Sequence, residues 1–97
     1  MKKIAEKKEK GVKVITENIE FSDAEAYYHR GIDYYLKGEH KKAIKALSKA
    51  IEINPKYAMA WYNKGITLVK LNQLDEAIKC FNKAFEINPK LISKPQY

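Results

Sequence analysis

Residues 58–91 read AMAWYNKGITLVKLNQLDEAIKCFNKAFEINPKL, and residues 24–57 read AEAYYHRGIDYYLKGEHKKAIKALSKAIEINPKY. Set one above the other without a gap, they agree at 15 of 34 positions. The matches include Gly31/Gly65, Ala43/Ala77, Ala50/Ala84 and Pro55/Pro89. Self-similarity at a fixed period marks a stack of one repeated supersecondary unit. The period therefore fixes the organisation before any single helix is read.

Each copy holds two helical stretches. Trp61, Gly65 and Leu68 fall on one stripe, as do Tyr27, Gly31 and Tyr34 one period earlier. Steps of four and three residues keep side chains on one helix face. In the second half Leu74, Ala77, Ile78, Phe81, Ala84 and Phe85 form a broad apolar stripe, and Ala43, Ile44, Leu47, Ala50 and Ile51 are its earlier copy. Gly38 and Asn72-Gln73 lie between the halves, where a tight turn is needed. Asn54-Pro55 and Asn88-Pro89 end the second helices, because proline drives the residue before it out of helical geometry. Ser22-Asp23-Ala24-Glu25 fits a capping box that opens the first helix at Ser22.

A glycine inside a helix costs about 1 kcal/mol relative to alanine. Gly31 and Gly65, one period apart and both mid-helix, need a compensating gain. Close approach supplies it: the paired helix is expected to press its Ala43/Ala50 or Ala77/Ala84 face against the bare backbone. A large residue at Gly65 then overpacks the hairpin.

The order Trp61, Gly65, Leu68, Ala77, Phe81, Ala84, Pro89, with its copy Tyr27, Gly31, Tyr34, Ala43, Leu47, Ala50, Pro55, resembles the tetratricopeptide repeat family. The resemblance covers 68 of the 97 residues. One hallmark is missing, since the family favours leucine before the glycine and this chain has Arg30 and Lys64. What the resemblance implies is an all-α helical-repeat fold. Antiparallel helix pairs stack in a right-handed superhelix, and the first helix of each pair lines a concave groove. The expected divisions are residues 1–23 as a basic segment with a capping helix, 24–57 and 58–91 as the repeats, and 92–97 as a tail.

Two repeats leave two ends to cover, since a helix pair cannot bury its apolar face alone. Val12, Ile15 and Ile19 make an i, i+3, i+7 stripe for a capping helix after Gly11, while the lysine-rich residues 1–10 are expected to be solvated. After Pro89 the remaining residues of this sequence are too few for a further covering helix. Leu74, Ile78, Phe81 and Phe85 are then expected to stay partly open, as a face for self-association or for docking onto another part of a longer chain.

The groove-facing positions run through Glu25, Tyr28, His29, Ile32 and Tyr35 in the first repeat and Met59, Tyr62, Asn63, Ile66 and Val69 in the second. Tyr28/Tyr62 and Ile32/Ile66 recur one period apart. Aromatics offer large contact area at low entropic cost. Tyr28, Ile32, Tyr35, Met59, Tyr62, Asn63 and Ile66 are thus the candidate contacts to an extended or helical peptide. One subgroup of the family grips carboxylate tails with lysines and asparagines, but Tyr28 and Ile32 stand where those residues are wanted and only Asn63 matches.

Composition narrows the remaining classes. The net charge is +7, yet of 19 basic residues only Arg30 is arginine. Lysine supplies diffuse charge, whereas arginine's flat fork reads phosphates and base edges. Scattered lysine argues against nucleic acid, which stays the alternative together with a purely structural assembly unit. No run approaches the ~18–20 apolar residues of a membrane span. The start has a basic flank without an apolar stretch, so no export signal is read. Cys80 is the only cysteine. It can form no internal disulfide, fits a reducing cytoplasm, and reads as a small buried hydrophobe. His29 and His40 sit on different helices without ligand-spaced carboxylates and read as solvated. Asp75-Glu76 is an acidic first helical turn. No catalytic set, metal site or cofactor motif is recognised, so a protein or peptide partner is expected and an enzyme is not.

Overall fold

The computed structural model describes residues 12–93, with side-chain surroundings for residues 23–91. Those residues form helices and turns: α1 (Val12–Leu36), α2 (His40–Ile53), α3 (Ala58–Lys70), α4 (Leu74–Ile87) and the single turn α5 (Lys90–Ser93). Helix α1 packs on α2 and α3 on α4, and the α2–α3 contact joins the two hairpins. The duplicated stretches fold alike. Helices α2 and α4 are both 14 residues long, and their C-caps Asn54 and Asn88 have φ,ψ of −132°, 89° and −136°, 89°. Each of these asparagines also turns its Oδ1 back to accept the N–H two residues on, from Lys56 and Lys90, at 3.2 Å.

The α-hairpin turns repeat as closely. Glu39 N–H donates to the Tyr34 carbonyl at 2.9 Å and Gly38 N–H to Tyr35 at 3.0 Å; Gln73 and Asn72 donate to Leu68 and Val69, both at 2.9 Å. This nested pair is a Schellman cap, which needs a left-handed residue just past the helix. Gly38 has φ 81° and Asn72 φ 62°. Glycine meets the demand without strain, and asparagine is among the few other residues that tolerate it. A Cβ on Gly38 would meet nothing within 4 Å, so substitution there probes the backbone alone. Gly38→Ala is expected to lose about 1 kcal/mol and Asn72→Gly to gain a few tenths. Thermal melts of both variants check this, and equal signs would contradict it.

Helix α1 departs from expectation. It runs unbroken through Ser22 for 25 residues, so the first repeat helix does not open at a Ser22 capping box and is continuous with the helical stretch after Gly11. Between Gly11 and Gly31 there is no glycine or proline. An N-cap preference of about 1 kcal/mol does not break a helix whose residues on both sides favour continuing it. The side chains of Val12, Ile15 and Ile19 lie outside the described surroundings, as do residues 1–11 and 94–97.

The core is built of small residues. Ala43, Ala50, Ala60 and Ala84 are completely buried, with Ala24, Ala77, Leu47, Leu68 and Cys80 beside them. Thr67 is also fully buried, and its hydroxyl donates to the Asn63 carbonyl one turn back at 2.7 Å. The glycines make their close approach to a different partner from the one expected. A Cβ on Gly31 would stand 2.7 Å from Leu47 Cγ, and one on Gly65 would stand 2.7 Å from Phe81 Cε1. The large residue at the centre of the second helix fills the glycine gap, and the alanines on either side of it let the helices close. Among the described residues no helix is long and apolar enough to cross a membrane.

Candidate interaction surface

The predicted surface residues sort into two clusters. The first lies where α1 meets α3. Asn63 Nδ2 donates to Tyr28 Oη at 2.9 Å and to the Met59 carbonyl at 3.0 Å. The Tyr28 ring packs on Tyr57 with centroids 5.0 Å apart. Burial pushes the Tyr28 hydroxyl above its ordinary pKa, and the Asn63 hydrogen bond opposes the rise. Tyr57 is raised as well, by burial first and then by the charge of Glu25 and by Tyr28. Ile32, Tyr35 and Ile66 are half-buried, whereas Met59 is exposed. Tyr35 is occupied by His40, at 5.4 Å between centroids. His40 is therefore not the solvated residue that was expected: it is half-buried, and its Nδ1 is withdrawn from solvent. His29 is exposed.

The second cluster is aromatic. Phe81 and Phe85 stack at 6.3 Å with their planes 13° apart, and Tyr62 lies 5.6 Å from Phe81 and 6.3 Å from Phe85. Tyr62 thus sides with Phe81 and Phe85 and not with Tyr28. The surface that sequence reading divided into a groove and an end face is continuous in the second repeat. Around this cluster Leu74 and Ile78 are 51% and 56% exposed. Phe81 and Phe85 are half-buried, and Phe81 also fills the gap at Gly65.

The internal repeat gives those exposures a meaning. Ile44, one period before Ile78, is half-buried and packs against Leu68, Ala77 and Cys80 of the second hairpin. The same position is thus an inter-repeat contact in the first hairpin and open in the second. Two further contacts fix the junction. Trp61 packs on that cluster and donates its Nε1–H to the Pro55 carbonyl at 2.9 Å, tying α3 to the loop before it. Neither the Trp61–Pro55 nor the Tyr28–Asn63 hydrogen bond was anticipated; their only signal was polar tips on otherwise apolar aromatic stripes.

Among the described residues no group of three His, Cys, Asp or Glu side chains could hold a metal ion. Cys80 is buried, and burial raises its thiol pKa, with Lys64 opposing and Glu76 adding to the rise.

The family model described as tetratricopeptide repeat matches residues 24–57 and 58–91, the same two units that the period defines. The chain belongs to the tetratricopeptide repeat family. Two solved structures are similar to it. One, "Crystal structure of MamA", is 40% identical with a TM-score of 0.66 and covers 72% of this chain and 41% of that one. The other, "Crystal structure of MamA protein", is 38% identical with a TM-score of 0.63 and covers 76% of this chain and 40% of that one. The tetratricopeptide chain thus spans about two-fifths of the length of the MamA chains it matches. Comparison with curated proteins gave no match. Membership makes this a helical-repeat protein of a class that serves protein–protein interaction.

Proposed function

We propose that the chain is a non-enzymatic protein-interaction module that self-associates through the open face of its second repeat. The observation that carries this reading is the contrast between Ile44 and Ile78. One position of the repeat is packed where a neighbouring hairpin follows and 56% exposed where none does among the described residues. The surface around Ile78 continues an interface the protein already builds. Leu74 and the Tyr62–Phe81–Phe85 cluster extend it, and contiguous apolar surface rimmed by polar residues marks interaction sites. Burying it offers roughly 25 cal/mol per Å² of apolar area.

A second reading, favoured by the exposure of Met59, has a peptide lying over Tyr28, Ile32, Tyr35, Met59, Tyr62, Asn63 and Ile66. Because Tyr62 belongs to both surfaces, a bound peptide and a second copy would compete there. Sedimentation over a wide concentration range tests the first reading. The unaltered chain is expected to show a monomer–oligomer equilibrium, and Ile78→Lys to sediment as a monomer throughout. An unaltered chain that stays monomeric at the highest concentration would refute self-association. Met59→Ala is expected to leave the equilibrium unchanged.

A further inference from the structure

The opposite face of the stack carries a different chemistry. The slot in the second hairpin that receives Ile44 is bounded by Trp61 and Leu68 of α3 and Cys80 of α4. One period earlier the same positions are Tyr27, Tyr34 and Ala46, and they line an open cleft between α1 and α2. Among the described residues its remaining lining is Arg30, Lys42, Lys45 and Lys49, with no acidic residue. Arg30 sits over the Tyr27 ring at 5.0 Å, and Lys42 over Tyr34 at 5.8 Å. Lys42 and Lys49 have partners outside the cleft, Glu39 at 3.9 Å and Glu52 at 3.4 Å, both solvent-exposed and weak. Arg30 and Lys45 have no ion pair among the described residues.

We infer that this cleft is a docking site for an acidic amphipathic helix of another protein. The shape argument comes from the repeat: the equivalent slot in the second hairpin holds a helix, α2, seated by the apolar side chain Ile44. The charge argument selects the partner. Four cations around a tyrosine- and alanine-lined floor favour an apolar ridge flanked by glutamates or aspartates. Electrostatic complementarity of this kind sets specificity and association rate. The occupants nearest to hand match that charge less well. Helix α4 of a second copy sets Lys79 and Lys83 among Asp75, Glu76 and Glu86, and residues 1–11 of this chain hold five lysines against two glutamates. Nucleic acid fits less well, because a slot shaped for one helix, with a single arginine at its rim, does not track a phosphate backbone. This face lies at the other end of the stack from Ile78, and Ile78→Lys, which removes self-association without touching the cleft, separates the two readings.

The test uses the full chain and a fluorescently labelled helical peptide with a leucine ridge flanked by glutamates, followed by anisotropy. Arg30→Glu with Lys45→Glu, both at exposed positions, is expected to weaken binding about tenfold or more. Lys56→Glu with Lys83→Glu, an equal change of net charge at another place, is expected to weaken it less than about twofold. Ile78→Lys is expected to leave it unchanged, and replacing the peptide's glutamates by glutamines to abolish it. Equal loss from both charge-reversed pairs would overturn the proposal in favour of unspecific attraction. So would tighter binding of a single-stranded oligonucleotide that the Arg30/Lys45 pair weakens in the same way.

Discussion

Gly31→Val is expected to lower stability by about 3 kcal/mol, the upper part of the usual range for overpacking a core. For a domain of this size that is a fall in melting temperature of about 12–24 °C. The first added carbon already has no room. A Cβ at Gly31 would stand 2.7 Å from Leu47 Cγ, 2.9 Å from Leu47 Cδ2 and 3.4 Å from the Ala43 carbonyl oxygen. Leu47 has no exposed surface, so it cannot swing outward to make space. Helix propensity acts the other way, since leaving glycine gains up to about 1 kcal/mol in a helix, but a β-branched side chain returns part of that. Gly65→Val is expected to cost less. Its obstacle is the edge of the half-buried Phe81 ring, which borders solvent and can turn. A double-mutant cycle isolates the cause. Leu47→Ala alone should cost about 2–5 kcal/mol. Combined with Gly31→Val, the total should fall short of the sum by about 1 kcal/mol or more, because the cavity receives the valine. Additive costs, read by urea denaturation, would place the strain elsewhere.

This pair also marks the limit of what the sequence discloses. The repeat itself was fully legible: an ungapped period, helix stripes, prolines after Asn54 and Asn88, and a turn at Gly38 and Asn72 all emerge as read. These are local signals, each decided within a few residues by backbone sterics or side-chain periodicity. The partner of the glycine was not legible, because it depends on how two helices are rotated about their axes. Alanine on either side of Leu47 or Phe81 allows close approach whether the small or the large residue sits over the gap. The ring partners of Tyr62 were not legible for the same reason. Its position on α3 was right, but the crossing of α3 and α4 sends its ring to Phe81 and Phe85. The continuity of α1 was hidden by a different cause. Ser22 to Glu25 carries a genuine start signal, and a start signal is overridden where the preceding residues also favour helix.

The largest functional contrast is expected from one substitution made twice. Ile44→Lys should destabilise the fold by about 3 kcal/mol, and Ile78→Lys should change the stability of the monomer by less than about 0.5 kcal/mol. The positions are equivalent in sequence and differ in what covers them. At Ile44 a lysine must lead its ammonium away from Leu68, Ala77 and Cys80 while the apolar contact between hairpins is lost. At Ile78 more than half of the side chain already faces solvent. Repeat stability is close to a sum of unit and nearest-neighbour terms. Removing the neighbour term should therefore also loosen the coupling between hairpins, seen as a broader denaturant transition with a smaller slope. Because association raises apparent stability with concentration, the comparison belongs at high dilution. There the unaltered chain and Ile78→Lys should melt together, and they should separate as concentration rises. If Ile78→Lys instead melts as early as Ile44→Lys at high dilution, the face around Ile78 is part of the monomer's own core, and the repeat ends in a packed surface with nothing left for a partner to bury.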